Sequence, residues 1–204
     1  MTQLRRLTYV LAINVSMFAG LVLVGLYAHS LSVLATGGDF VADSFALGLG
    51  ILAVHLRDKH GELQAPTYVA LVNGLLLLVV TAIVIYGSIR RLAYGSPSIH
   101  GLPVLAIAAI SMLAMFAGAF ILGRGAGKED LHMRSVLLDT LSDGLSAAAV
   151  AITGGIIYFA HGLYWLDSVV ALLVGIVIGI GAIKLLGDVA KALKTKRPID
   201  FNHD

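Results

Sequence analysis

The chain has 204 residues, 58% of them hydrophobic and 13% charged, with a formal net charge of +2 and a mean hydropathy of +0.93. Soluble domains carry about 25% charged residues, so this composition excludes an ordinary soluble domain, and so small a net charge gives no sign of a nucleic-acid partner. The sequence holds no cysteine, which removes disulfides and thiolate metal sites.

Six apolar segments are each long enough to cross a bilayer as a helix, which needs about 20 residues. The first, about 7–29, follows Arg5 and Arg6. Its apolar stretch exceeds the roughly 7–15 residues of a secretory signal, so a retained span is expected rather than a cleaved leader. The second, about 32–56, carries Asp39 and Asp43 and leads into the polar turn RDKHGELQAP. The third covers about 66–88 and is followed by the loop SIRRLAYGSPSIHG. The fourth covers about 102–123, and the polar GRGAGKED separates it from the fifth, about 131–160, which carries Asp139 and Asp143. HGLYW connects to the sixth, about 165–187, and KALKTKRPIDFNHD is a polar tail. The expected fold class is therefore all-α: a polytopic six-helix membrane bundle over 1–190 with a short tail at 191–204. Gly175 and Gly179 make a small-xxx-small pair suited to close helix packing.

Six spans put both termini on one side with the 57–65 and 124–130 loops. That side collects Arg5, Arg6, Arg57, Lys59, Arg124, Lys128, Arg134, Lys184, Lys191, Lys194, Lys196 and Arg197, against Arg90 and Arg91 opposite. Such asymmetry predicts cytoplasmic termini in the cell membrane. Tyr158, Tyr164 and Trp165 suit an interfacial belt, and the basic residues from Lys191 to Arg197 suit either anionic lipid or plain solvent.

The informative residues are the aspartates. Asp39/Asp43 and Asp139/Asp143 are two i, i+4 pairs, and on a helix such residues share a face. A carboxylate at bilayer depth is costly and marks function by default. If the second and fifth spans pack together, the four acids converge as an all-oxygen site for a divalent ion. Four ionised carboxylates repel one another, so their protons leave in coupled steps. Metal entry then displaces protons and protonation expels metal. The competing structural reading has a buried Asp capping a kink or hydrogen-bonded to a neighbouring serine, with Ser44 and Ser142 close by. His55, Asp58 and His60 form a second, weaker candidate metal cluster in the 57–65 connection, against a merely solvated turn. His29, His100, His132 and His161 stand singly. GRGAGK lacks the phosphate-loop spacing, and no hydrolytic triad is apparent.

These residues carry a resemblance. LSVLATGGDFVADSFALGLGILAVHL, YVALVNGLLLLVVTAIVIYGSIRRL with Asn73, EDLHMRSVLLDTLSDGLSAAAV and YWLDSVVALLVGIVIGIGAIKLL resemble the second, third, fifth and sixth spans of the cation diffusion facilitator family, which exchanges divalent metal for protons. The resemblance implies that Asp39, Asp43, Asp139 and Asp143 bind the metal, that the protein is a homodimer, and that it exports Zn²⁺, Cd²⁺, Mn²⁺, Fe²⁺ or Co²⁺ by alternating access, with no cofactor beyond metal and protons. Three features depart from the family pattern. Zinc-moving members commonly have His at the first position of one or both pairs, where this chain has Asp; this harder donor set shifts the expectation toward Mn²⁺ or Mg²⁺ without excluding the others. The 204 residues end soon after the sixth span, where the family pattern leads one to expect a C-terminal cytoplasmic metal-binding domain. Asp167 precedes Ser168 where proline is frequent. The alternatives are a non-transporting membrane metal sensor, a partner subunit of a full-length transporter and, below these, an intramembrane enzyme.

Overall fold

The computed structural model describes residues 3–56, 65–123 and 131–195. Its six helices are α1 (Gln3–Ala28), α2 (Leu31–Leu56), α3 (Ala65–Tyr94), α4 (Gly101–Gly123), α5 (Leu131–Ala160) and α6 (Trp165–Thr195), as the six apolar segments predict. Five of them, all but α2, contain a stretch long and apolar enough to cross a membrane among the described residues. Two expectations are corrected at helix ends. α3 runs on through Arg90 and Arg91 to Tyr94, and α6 runs to Thr195, so the first residues of the expected tail are helical. Nothing in SIRRLAY or KALKT breaks a helix, because neither contains glycine or proline.

The exterior is apolar. Leu23, Tyr86, Val177 and Phe159 are among the large hydrophobic side chains left exposed, the pattern of helices solvated by lipid rather than water.

Two packing groups share α2. In the first, Leu21 and Ala28 of α1, Val33 and Phe40 of α2, Val104, Ala108 and Met115 of α4, and Val150 and Ile157 of α5 form one core. In the second, Ala35 and Ala42 of α2 pack with Val84 and Leu77 of α3 and with Ala171, Val174 and Ala182 of α6. Small residues permit both. A side chain at Gly154 would meet the Leu105 backbone nitrogen of α4 at 2.6 Å, and one at Gly101 would meet the Tyr158 backbone of α5 at 2.6 Å. Gly175 and Gly179 lie against Val84, Ile85 and Thr81 of α3, so the expected small-xxx-small pair makes the α3–α6 seam within one chain. In a lipid solvent such close backbone approach, rather than hydrophobic burial, holds helices together.

Candidate metal centre

The first packing group is a closed ring in which α1 packs on α2 and α4, α4 on α5, and α5 on α2. Each helix turns one stripe inward. On α2 the stripe runs through Thr36, Phe40, Asp43 and Leu47, and on α5 through Thr140, Asp143, Ala147, Val150 and Ile157. The spacings of three and four residues keep each set on one helical face. Asp43 and Asp143 thus sit on the faces that bring Phe40, Val150 and Ile157 into the shared core.

Asp143 is 9% exposed, while Asp39 and Asp43 are half-buried; all three have interaction partners in the protein. Asp139 stands on α5 one turn before Asp143, and its side chain lies outside the described residues. The two α2 acids and Asp143 do not close into a metal cage: among the described residues, no group of three or more His, Asp or Glu is arranged to hold an ion. Of the second candidate cluster, His55 is in the last turn of α2 with its side chain outside the described residues, as are Asp58 and His60 entirely.

The serine alternative for α2 is not what the structure adopts. Ser44 Oγ donates to the Phe40 carbonyl at 2.7 Å, which spends its one proton on the backbone. Polar support for the acidic turn comes from α3. Asn73, 4% exposed, donates from Nδ2 to the Ala42 carbonyl at 3.4 Å, one residue before Asp43.

A second polar centre, at the start of α2, has no role in the sequence reading. Asp167 of α6 is fully buried. Its carboxylate accepts from Ser30 Oγ at 2.6 Å, from the Leu31 backbone N–H at 2.8 Å, and from the backbone and hydroxyl of Ser32. Ser30 Oγ also accepts from the Val33 N–H at 3.2 Å, which makes Ser30 the N-cap of α2. Free N–H groups and the helix dipole favour a negative charge at that position. Arg91 of α3 stands 3.9 Å from Asp167 and donates to the His29 carbonyl at 2.7 Å. His29 has φ 57°, and the bonds from His29 N–H to Leu26 and from Ser30 N–H to Gly25 close α1 in a Schellman motif. One carboxylate and one guanidinium therefore tie together the end of α1, the starts of α2 and α6 and the last turn of α3. The only sequence signal was an aspartate two residues into an apolar helix.

The other single histidines serve helix ends. His161 has φ 51° after α5, and exposed His100 stacks on Tyr27 at 5.5 Å and lies 6.4 Å from His29. His132 opens α5 with its side chain outside the described residues.

The profile of the cation efflux transmembrane domain matches residues 7–193, so the chain belongs to the cation efflux, or cation diffusion facilitator, family, whose members are transporters and not enzymes. It is a multi-pass membrane protein. Over 205 residues it is 28% identical to the zinc transporter ZitB of Escherichia coli (strain K12), covering 97% of this chain and 65% of that protein. It is 26% identical over 181 residues to the cadmium, cobalt and zinc/H(+)-K(+) antiporter of Bacillus subtilis (strain 168), covering 83% of this chain and 58% of that one. The metal cation efflux system protein CzcD of Cupriavidus metallidurans is 25% identical over 179 residues, covering 84% of this chain and 56% of CzcD. The chain thus spans less than two thirds of the length of these relatives.

Proposed function

We propose that this protein exports divalent transition-metal ions from the cytoplasm in exchange for protons, by alternating access, from a cell membrane in which both termini are cytoplasmic. The observation that carries the proposal is the placement of two aspartate pairs, Asp39/Asp43 on α2 and Asp139/Asp143 on α5, in a cation efflux transmembrane domain. The relatives named for zinc, cadmium and cobalt support the substrate class.

In this mechanism the ion enters between α2 and α5 and draws the four carboxylates together around it. Its charge offsets the mutual repulsion that otherwise keeps protons on the site. The ion is the cargo, not a resident cofactor. Protons arriving from the far side compete for the same oxygens and release it. A homodimer in which each ring core rocks against its own α3–α6 pair suits the architecture, in which α2 is shared between the ring and that tightly seamed pair.

The test is metal flux in proteoliposomes with Zn²⁺, Cd²⁺ and Mn²⁺, for the intact protein and an Asp43→Ala, Asp143→Ala double variant. The expected result is flux in the first and none in the second, with both preparations monodisperse and helical. Unchanged flux in the variant contradicts the assignment.

A further inference from the structure

The inward stripe of α1 is Val10, Asn14, Leu21 and Ala28, all buried. Leu21 and Ala28 belong to the core shared by α1, α2, α4 and α5. Asn14 lies seven residues before Leu21, two helical turns along the same face, which places it on the face turned into the ring. It is 3% exposed, and among the described residues its Oδ1 has no hydrogen-bond partner. Buried polar atoms in native proteins are nearly always satisfied, and an orphan calls for a missing water or ion.

The depth of Asn14 follows from contacts on both sides. Gly25 lies against Leu34, and Gly37 against Leu21 and Val22. That antiparallel register continues down the pair to bring Asn14 level with the Asp43–Phe45 turn of α2. On the other side Gly20 meets Ile107, and Ser111 Oγ contacts Met17 Sδ at 3.8 Å, which carries Asn14 to the level of Ala114 on α4. Gly144 of α5 in turn rests on Met115 and Phe116. Asn14 thus shares its depth, to within about one helical turn of 5.4 Å, with Asp43 and with Asp143.

We infer that Asn14 is a further ligand of the proposed metal centre, offering a neutral amide oxygen through Oδ1 to the ion or to a water that the ion carries. The inference rests on the aspartate centre proposed above. An amide oxygen is a hard donor that adds no charge and takes no proton, so it favours oxygen-seeking ions such as Mn²⁺ over Zn²⁺ and Cd²⁺. Asn14 therefore sets selectivity, while the aspartates supply the charge and exchange the protons. Asn73 has a similarly buried orphan Oδ1, but its amide is anchored to the Ala42 carbonyl of α2 and it supports the acidic turn from outside the ring.

The experiment is titration of the purified intact protein with Mn²⁺, Zn²⁺ and Cd²⁺ by calorimetry, for the natural sequence, Asn14→Leu, Asn14→His and Asp43→Ala. Asn14→Leu should weaken Mn²⁺ binding by about tenfold or more and Cd²⁺ binding by less. Asn14→His retains a donor but a softer one, and should move the Mn²⁺-to-Zn²⁺ affinity ratio toward Zn²⁺; it also keeps the test decisive if the leucine variant does not fold. Binding that is lost in Asp43→Ala but unchanged in both Asn14 variants overturns the inference and leaves the aspartate centre standing. A uniform loss for all three metals, with the ratios unchanged, makes Asn14 structural and also overturns it. No binding by the natural sequence, or full binding by Asp43→Ala, refutes the centre itself and the role of Asn14 with it.

Discussion

At the scale of single residues, charge and space decide the outcome. Asp43 and Asp143 sit on inward stripes with core side chains above and below them, so an uncompensated carboxylate there costs several kcal/mol. Asp43→Asn or Asp143→Asn keeps the shape and removes the charge. Each is expected to leave the protein folded and to weaken divalent-metal affinity by about 100-fold or more, beyond the 10–100-fold typical of outer-shell partners; metal titration of each variant checks this. Glycine is the opposite case, where an added atom is what cannot fit. At Gly154 the obstacle is the α4 backbone at 2.6 Å, which has no rotamer to yield. Gly154→Val should therefore destabilise by about 1–3 kcal/mol through overpacking, measured as a lowered midpoint of unfolding in detergent.

At the scale of helices, Asp167 and Arg91 hold together what apolar packing alone leaves free to slide. Removing one member of a buried, hydrogen-bonded charge cluster costs about 3–5 kcal/mol, so Asp167→Ala should lower the unfolding free energy by that amount. Ser30→Ala removes the N-cap and one of the bonds that the Asp167 carboxylate accepts, and should cost about 2–3 kcal/mol, less than Asp167→Ala; chemical unfolding of the two variants in detergent ranks them. The helices themselves were legible in the sequence, since a span is a run of apolar residues and the predicted starts of α2, α3, α4, α5 and α6 fall within a residue of those observed. Their far ends were less so. SIRRLAY and KALKT are polar enough to look like loop, yet they continue α3 and α6 because polarity does not break a helix once it leaves the membrane core. The Asp167 cluster was illegible for a different reason. Its partners Ser30, Ser32 and Arg91 lie 137, 135 and 76 positions away in the chain, and no local pattern reports a contact of that range. The acidic pairs were visible because their i, i+4 spacing is local, and Asn14 was passed over because a lone amide in a span has no such pattern.

For the whole molecule, α2 is the shared wall between a ring with an apolar core and a tightly seamed α3–α6 pair. It carries its acids at one level and is clasped at its start by Asp167. This division suits a protein in which one unit moves against another while the clasp fixes the end of α2. Metal and protons compete for the same oxygens, so metal affinity should rise with pH, by about tenfold per pH unit for each proton displaced. Titrations at several pH values measure that number directly, and an affinity indifferent to pH across the acidic range rules out exchange. The most direct measurement is simultaneous: metal flux and internal pH recorded together in proteoliposomes, for the intact protein and for the Asp43→Ala, Asp143→Ala variant. The account predicts metal moving one way and protons the other in the intact protein, with both movements absent in the variant. Metal movement without protons, or undiminished movement in the variant, would contradict it.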